Sequence, residues 1–221
     1  MAIGDHLRDV MDLYGSPKCP HTNAVLIAAG EKGVDINSHV EDDWGPSSSI
    51  RSMSPLGIGP VLKDRSAVNI GLVSCMSYLD DKGFGPSLVH RNGVTRARMF
   101  QEITIAQQTD CSDDAALAAA LDQLEATLNS PLGNMKGDYC VGQYTLADCA
   151  WAGVCQVATN MGKGTAVSSR SAVNTWFAAV QSHPSTSKEA INPFSCLSTK
   201  ADHDANLSLI HISEPTRLRS I

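Results

Sequence analysis

The sequence predicts an α/β domain at the N-terminus followed by an all-helical domain. Strand and helix signals alternate over roughly the first eighty residues. Gly83, Gly85 and Pro86 then cluster as expected for a linker, and after about Val94 the apolar residues recur only at helical spacing. The predicted divisions are an α/β domain at 1–82, a linker at 83–93, a helical domain at 94–200 and a tail at 201–221.

The N-terminal domain is predicted to have the element order β-α-β-α-β-β-α. An apolar run from Val10 to Tyr14 ends at a Gly-Ser-Pro turn and predicts a buried strand. The remaining elements are a helix at 20–31 capped near Gly33, a strand at 34–40, a short helix through Ile50 and Met53, a strand after Pro60, a strand at 67–70 and a helix at 72–79.

The C-terminal domain is predicted to be a helical bundle. Apolar residues recur every three or four positions from Met99 to Ala106 and from Leu117 to Leu128. Ser112 precedes two aspartates and is predicted to be the N-cap of the second of these helices. Further helices are predicted at 145–160 and around 172–180.

Composition and charge exclude several functions. The formal net charge of −6 and the pI of about 5.6 leave no basic surface for nucleic acid. No apolar run approaches the ~18 residues of a membrane span, and the N-terminus lacks the apolar core of a signal peptide. We therefore expect a cytoplasmic protein with no membrane partner. The seven cysteines form no Cys-x-x-Cys pair, so we expect neither a disulfide framework nor a metal site.

The end of the chain has an unusual sequence. Residues 208–221 read SLIHISEPTRLRSI and resemble translated cloning or sequencing-adapter sequence. We expect the natural C-terminus to be replaced somewhere after about Lys200, and these residues carry no weight in the fold prediction.

One family resemblance begins at residues 54–62. This segment, SPLGIGPVL, joins a turn to a strand and is similar to the NPxGxVPxL segment of the cytosolic glutathione S-transferases. In that family the proline at the position of Pro60 follows a cis peptide bond. The resemblance implies that the backbone of Ile58, Gly59 and Pro60 meets the cysteinyl unit of glutathione.

A second segment makes the resemblance more specific. Residues 139–148, YCVGQYTLAD, resemble the TLAD box that opens a central helix in the same family, and predict a capping box between Thr145 and Asp148. The resemblance covers about residues 10–195. It implies the glutathione S-transferase fold, with an α/β thioredoxin-like N-terminal domain and an all-α C-terminal domain, and it suggests a homodimer.

Cys19 is the leading candidate nucleophile. It lies in the turn Ser-Pro-Lys-Cys-Pro before the first helix, where the N-terminal partial positive charge of a helix favours a thiolate. The Cys-Pro turn resembles that of omega-like transferases. Because this turn holds a single cysteine, the predicted chemistry is monothiol: Cys19 attacks a mixed disulfide and glutathione resolves the product. The alternative is that Cys19 is only a small residue at a tight turn.

Ser16 is the rival candidate. Its hydroxyl would donate a hydrogen bond to the thiolate of glutathione, as in serine-type members of the family, although it lies three residues before Cys19. His21, in the first helical turn, would either tune Cys19 or be solvated.

The sequence departs from the family at the position that holds the γ-glutamyl end of glutathione. Glutathione-binding members carry an acid followed by a serine there, whereas this chain has Gly71 and Leu72. Each lost side chain would supply on the order of 1 to 3 kcal/mol as a charge-assisted bond. The N–H groups at the start of the helix remain available to an anion.

Two functions therefore stay open. The first is a glutathione-dependent transferase or monothiol thioltransferase, with glutathione as co-substrate, a small electrophile or mixed disulfide as partner, and no metal. The second is a catalytically silent protein of the same fold that acts as a scaffold, docks on a larger complex or binds a small ligand.

Overall fold

The computed structural model describes residues 10–42, 45, 47–129 and 137–183. The predicted tail, including the adapter-like segment at 208–221, lies outside these residues. The described residues contain one four-stranded sheet with the spatial order β2-β1-β3-β4. Its strands are β1 (Met11–Gly15), β2 (Ile36–Val40), β3 (Val61–Asp64) and β4 (Ala67–Ile70). Strand β1 runs parallel to β2 and antiparallel to β3, which pairs in turn with β4.

The predicted order of elements is observed. The helices are α1 (Pro20–Glu31), α2 (Ser49–Met53), α3 (Leu72–Lys82), α4 (Gly93–Gln108), α5 (Asp114–Asn129), α6 (Leu146–Ala158), α7 (Gly164–Ser168) and α8 (Ser171–Gln181). A π-helical turn, Thr159–Lys163, joins α6 to α7. The N-cap prediction for α5 was wrong by one residue: the Asp113 carboxylate, not Ser112, accepts the free N–H groups of Ala115 and Ala116.

Helix α6 is the centre of the packing. Nearly all of its residues are buried, and it packs against both α1 and α4. Gly153 permits a close crossing with α1, because a Cβ atom there would clash with the Pro20 carbonyl oxygen and lie 2.8 Å from the Ala24 nitrogen. This contact joins the α/β elements to the helical elements, and all described residues belong to one compact unit.

A buried ion pair fixes the predicted linker. The side chains of Lys32 and Asp80 are 2% and 3% exposed, and Lys32 Nζ lies 3.1 Å from Asp80 Oδ1. Lys32 also donates to the carbonyl of Pro86 at 3.0 Å. The Asp80 carboxylate accepts hydrogen bonds from the Leu88 N–H and the Ser87 hydroxyl, both at 2.7 Å. The ends of α1 and α3 therefore hold the linker through charge-assisted bonds.

The Thr145–Asp148 segment has a structural role. Asp148 is fully buried, and its carboxylate accepts hydrogen bonds from the N–H groups of Thr145 and Cys140 and from the indole N–H of Trp176. Burial raises the pKa of Asp148 in spite of these donors. The box therefore anchors α6 to α8 and to the segment before it.

Candidate thiol site

Cys19 is the N-cap residue of α1. Its backbone is extended, Pro20 occupies the first helical position, and its side chain is partly exposed. The Asn23 amide fastens the turn by donating to the carbonyl oxygens of Pro17 at 2.8 Å and Cys19 at 2.9 Å. The thiol is thus placed at the N–H groups that begin a helix.

Ser16 is committed to the structure of the turn. Its hydroxyl donates to Asp42 Oδ1 at 2.6 Å and accepts from the Lys18 N–H at 3.2 Å. The Lys18 ammonium lies 3.8 Å from the other oxygen of Asp42. Sequence reasoning did not identify Asp42, which lies 26 residues beyond Ser16 and has no local signal. The hydroxyl is thus already bonded to Asp42 and to the Lys18 N–H, whereas the structure shows no hydrogen bond made by the Cys19 thiol among the described residues.

His21 links α1 to α4. Its Nε2 lies 3.0 Å from the Gln107 carbonyl oxygen, and burial lowers the pKa of the ring. The imidazole is therefore neutral near pH 7, and its hydrogen bond joins the first turn of α1 to the end of α4. This contact gives His21 a packing role beside the thiol.

The segment that contains Pro60 lies at the same edge of the sheet as the cysteine turn. The Gly59–Pro60 peptide bond is cis. Strands β1 and β3 pair Tyr14 with Val61 in an antiparallel register, so the residues that follow β1 and the residues that precede β3 lie at one edge. The Cys19 N–H bonds to the Ser16 carbonyl at 3.0 Å, so the thiol turn begins at this edge.

Gly71 and Leu72 complete this side of the site. Gly71 caps α3 with φ 81° and ψ 167°, and its N–H bonds to the Pro60 carbonyl at 2.8 Å. Leu72 is 1% exposed and belongs to the buried stripe of α3 with Met76 and Leu79. The predicted loss of polar side chains here is therefore accompanied by an inward-facing leucine.

The Ile58 side chain contacts the start of α3. A Cβ atom on Gly71 would lie 3.5 Å from Ile58 Cγ2. The Ile58 N–H bonds to the Ser54 hydroxyl at 3.0 Å, which fixes the loop, while its side chain stays 48% exposed. Sequence reasoning assigned only the backbone of Ile58 to the site, because the meeting of its side chain with α3 is a tertiary contact.

A separate cleft of about 320 Å³ lies at the far end of α1. It is lined by Glu31, Pro86, Ser87, Leu88, Gln143, Tyr144 and His183. A helix of twelve residues is about 18 Å long, so this cleft is remote from Cys19. Among the described residues, no group of three or more His, Cys, Asp or Glu side chains is placed to hold a metal ion. None of the described helices is long and apolar enough to cross a membrane.

The sequence is similar to proteins named stringent starvation protein A homologues. It is 33% identical to the one from Coxiella burnetii over 91 residues, which are 41% of this chain and 44% of that relative. It is 26% identical to the one from Pasteurella multocida over 159 residues, which are 67% of this chain and 75% of that relative. The first match thus spans less than half of that relative's length. No family model matches the chain.

Solved structures match over most of the chain. A delta-class glutathione transferase from Nilaparvata lugens has a TM-score of 0.67 and 24% identity, covering 81% of this chain and 92% of its own. A maleylacetoacetate isomerase from Methylobacterium extorquens, solved with malonate and GSH bound, has a TM-score of 0.68 and 16% identity, covering 82% and 96%. The fold class predicted from the sequence is confirmed, and the protein has the glutathione S-transferase fold.

Proposed function

We propose that this protein carries out thiol–disulfide exchange through Cys19, as a monothiol thioltransferase with glutathione as co-substrate. The observation that carries the proposal is the position of Cys19, a partly exposed thiol at the N-cap of α1, at the sheet edge that also holds the Gly59–Pro60 segment. The maleylacetoacetate isomerase solved with GSH bound supports it, since that protein of the same fold holds the tripeptide. A reducing cytoplasmic compartment suits such chemistry.

The reaction needs one protein thiol. The Cys19 thiolate attacks the glutathione sulfur of a mixed disulfide, so a Cys19–glutathione disulfide forms and the other thiolate leaves with the electron pair. A second glutathione thiolate then attacks the glutathione sulfur of this intermediate. Glutathione disulfide is released, and Cys19 returns as a thiolate. In this scheme the backbone of Ile58, Gly59 and Pro60 meets the cysteinyl unit, and the N–H groups after Gly71 face its γ-glutamyl end.

The test is calorimetric titration of the protein with reduced glutathione, together with a thioltransferase assay of the wild type and Cys19→Ala. We expect binding in the micromolar to low millimolar range, with activity lost in the variant. Ser16→Ala is the matched control: if Ser16 only shapes the turn, the variant keeps Cys19-dependent turnover. No binding at about 10 mM glutathione, with no Cys19-dependent turnover, would reject the proposal.

The second candidate is a catalytically silent protein that binds a partner or small ligand through the same fold. The observation that favours it is the buried Leu72 with Ile58 packed over Gly71, where polar side chains would grip glutathione. The similar curated proteins are named for stringent starvation rather than for a transferase reaction. If the titration shows no glutathione binding, this second candidate function remains, and pull-down experiments would identify the partner. Light scattering of the same sample would show whether the protein is a homodimer.

A further inference from the structure

An apolar surface lies at the start of α3, and we call it the Ile58 surface. It consists of Ile58, Gly71, Leu72 and Val73. Ile58 is 48% exposed and Val73 is 37% exposed, while Leu72 packs inward beneath them as the first residue of α3. Ile58 Cγ2 lies 3.5 Å from the position that a Cβ atom on Gly71 would take, so the loop before β3 lies against the start of α3.

Hydrogen bonds and strand register connect this surface to Cys19. The Gly71 N–H bonds to the carbonyl of Pro60, and Ile58 is separated from Pro60 only by Gly59. The β1–β3 register places Gly59 at the same edge of the sheet as Ser16, whose carbonyl accepts the Cys19 N–H. A thiol or disulfide that reaches Cys19 along this edge can therefore place its attached group on the Ile58 surface.

The chemistry of the surface selects among such groups. Its four residues supply no charged side chain, so the ammonium of a γ-glutamyl group finds no carboxylate partner among them. The N–H groups at the start of α3 suit an anion rather than an ammonium. Removing a charged group from water without a partner is costly, whereas an alkyl group gains from covering Ile58 and Val73.

We propose that the thiol substrate handled by Cys19 carries an uncharged apolar group that lies on the Ile58 surface, in preference to the zwitterionic γ-glutamyl group of glutathione. This inference rests on the proposed function, since it names the substrate class of the same site. In the exchange step, Cys19 attacks the sulfur that bears the apolar group, the disulfide bond breaks, and the other thiolate leaves with the electron pair. A second low-molecular-weight thiol resolves the intermediate.

Two probes with a common leaving group test the preference. Mixed disulfides of 5-thio-2-nitrobenzoate with 1-butanethiol and with glutathione release the same coloured thiolate when Cys19 attacks the other sulfur. The Cys19-dependent rate is the difference between the full-length wild type and Cys19→Ala. The ratio of the butyl rate to the glutathione rate is then divided by the same ratio measured with a free small thiol as the nucleophile. This corrects for the difference in intrinsic reactivity between the two disulfides. Each buried methylene is worth about fourfold, so we expect a corrected ratio of about tenfold or more.

Ile58→Gln is the decisive variant, and Leu56→Gln is its matched control on the strongly exposed part of the same loop. We expect Ile58→Gln to lower the corrected ratio about fourfold or more and Leu56→Gln to leave it unchanged. Cys19-dependent release with a ratio of one or below would overturn this inference while the proposed function stands. An absence of Cys19-dependent release would defeat both. An unchanged ratio with altered light scattering in Ile58→Gln would overturn it too, and would assign the surface to contact between copies of the chain.

Discussion

The buried pair of Lys32 and Asp80 gives the sharpest stability prediction. Lys32→Met removes the cation 3.1 Å from Asp80 and leaves a carboxylate that is 3% exposed without its ionic partner. Removing one member of such a pair costs about 3–5 kcal/mol, because the remaining charge stays buried. It also removes the bond to the carbonyl of Pro86. The loss would be a large fraction of the free energy of unfolding of an ordinary domain.

A double-mutant cycle separates the ionic contribution from the rest. Asp80→Asn keeps an oxygen that accepts from the Leu88 N–H but removes the charge. In that background Lys32→Met therefore leaves no buried carboxylate without an ionic partner. We expect the lysine substitution to cost about 1–3 kcal/mol less in the Asp80→Asn background than in the wild type.

The assay for this cycle is urea unfolding followed by far-ultraviolet circular dichroism. Lys82→Met is the control, because Lys82 is an exposed lysine on α3, and its loss should cost less than about 1 kcal/mol. If the two single effects add to the double effect within about 0.5 kcal/mol, the pair is not coupled and the reasoning fails.

Three further predictions concern stability. Gly153→Ala should lower the free energy of unfolding by about 1–3 kcal/mol, because the added methyl group would push α1 away from α6. Gly164→Ala is the control: its Cβ atom would make only an ordinary contact at 3.5 Å, so thermal unfolding should be nearly unchanged. Trp176→Phe should lower the free energy of unfolding by about 1–3 kcal/mol, because Asp148 loses a hydrogen-bond donor. A urea unfolding midpoint equal to that of the wild type would contradict this. Burial raises the pKa of Asp80, but its backbone, hydroxyl and lysine partners bring the net pKa below its usual value. The ionised Asp80 carboxylate therefore stabilises the fold at pH values above the pKa of the unfolded carboxyl, and this stabilisation is lost as the pH falls through the folded pKa. The free energy of unfolding should therefore decrease as the pH is lowered from about 4, and it should decrease less steeply in Asp80→Asn.

The buried pair also bears on how the site is held. Lys32 lies just after the end of α1, whose beginning carries Cys19, and Asp80 lies on α3, whose beginning carries Gly71. The two helices that shape the proposed site are thus joined at their far ends by a charge-assisted contact. The Lys32→Met variant should therefore be assayed for Cys19 reactivity as well as for stability.

The sequence by itself determined the order of elements and the place of the candidate thiol. Apolar periodicity, the proline at the start of α1 and the glycine after its end are local signals, and local signals set where strands and helices begin and end. The SPLGIGPVL and TLAD segments predicted the fold through their resemblance to the glutathione S-transferases. The position of Cys19 at an N-cap follows from its immediate neighbours, so it could be predicted without a structure.

Only the tertiary structure decided which residues from distant parts of the chain meet. The bond from Ser16 to Asp42, the contact of Ile58 with Gly71 and the ion pair of Lys32 join residues that no local pattern pairs. One cap was also misplaced: Ser112 and Asp113 are both good caps, and only the helix geometry chooses between them. Partners far apart in sequence meet through strand register and helix packing, which depend on the whole fold rather than on any one segment.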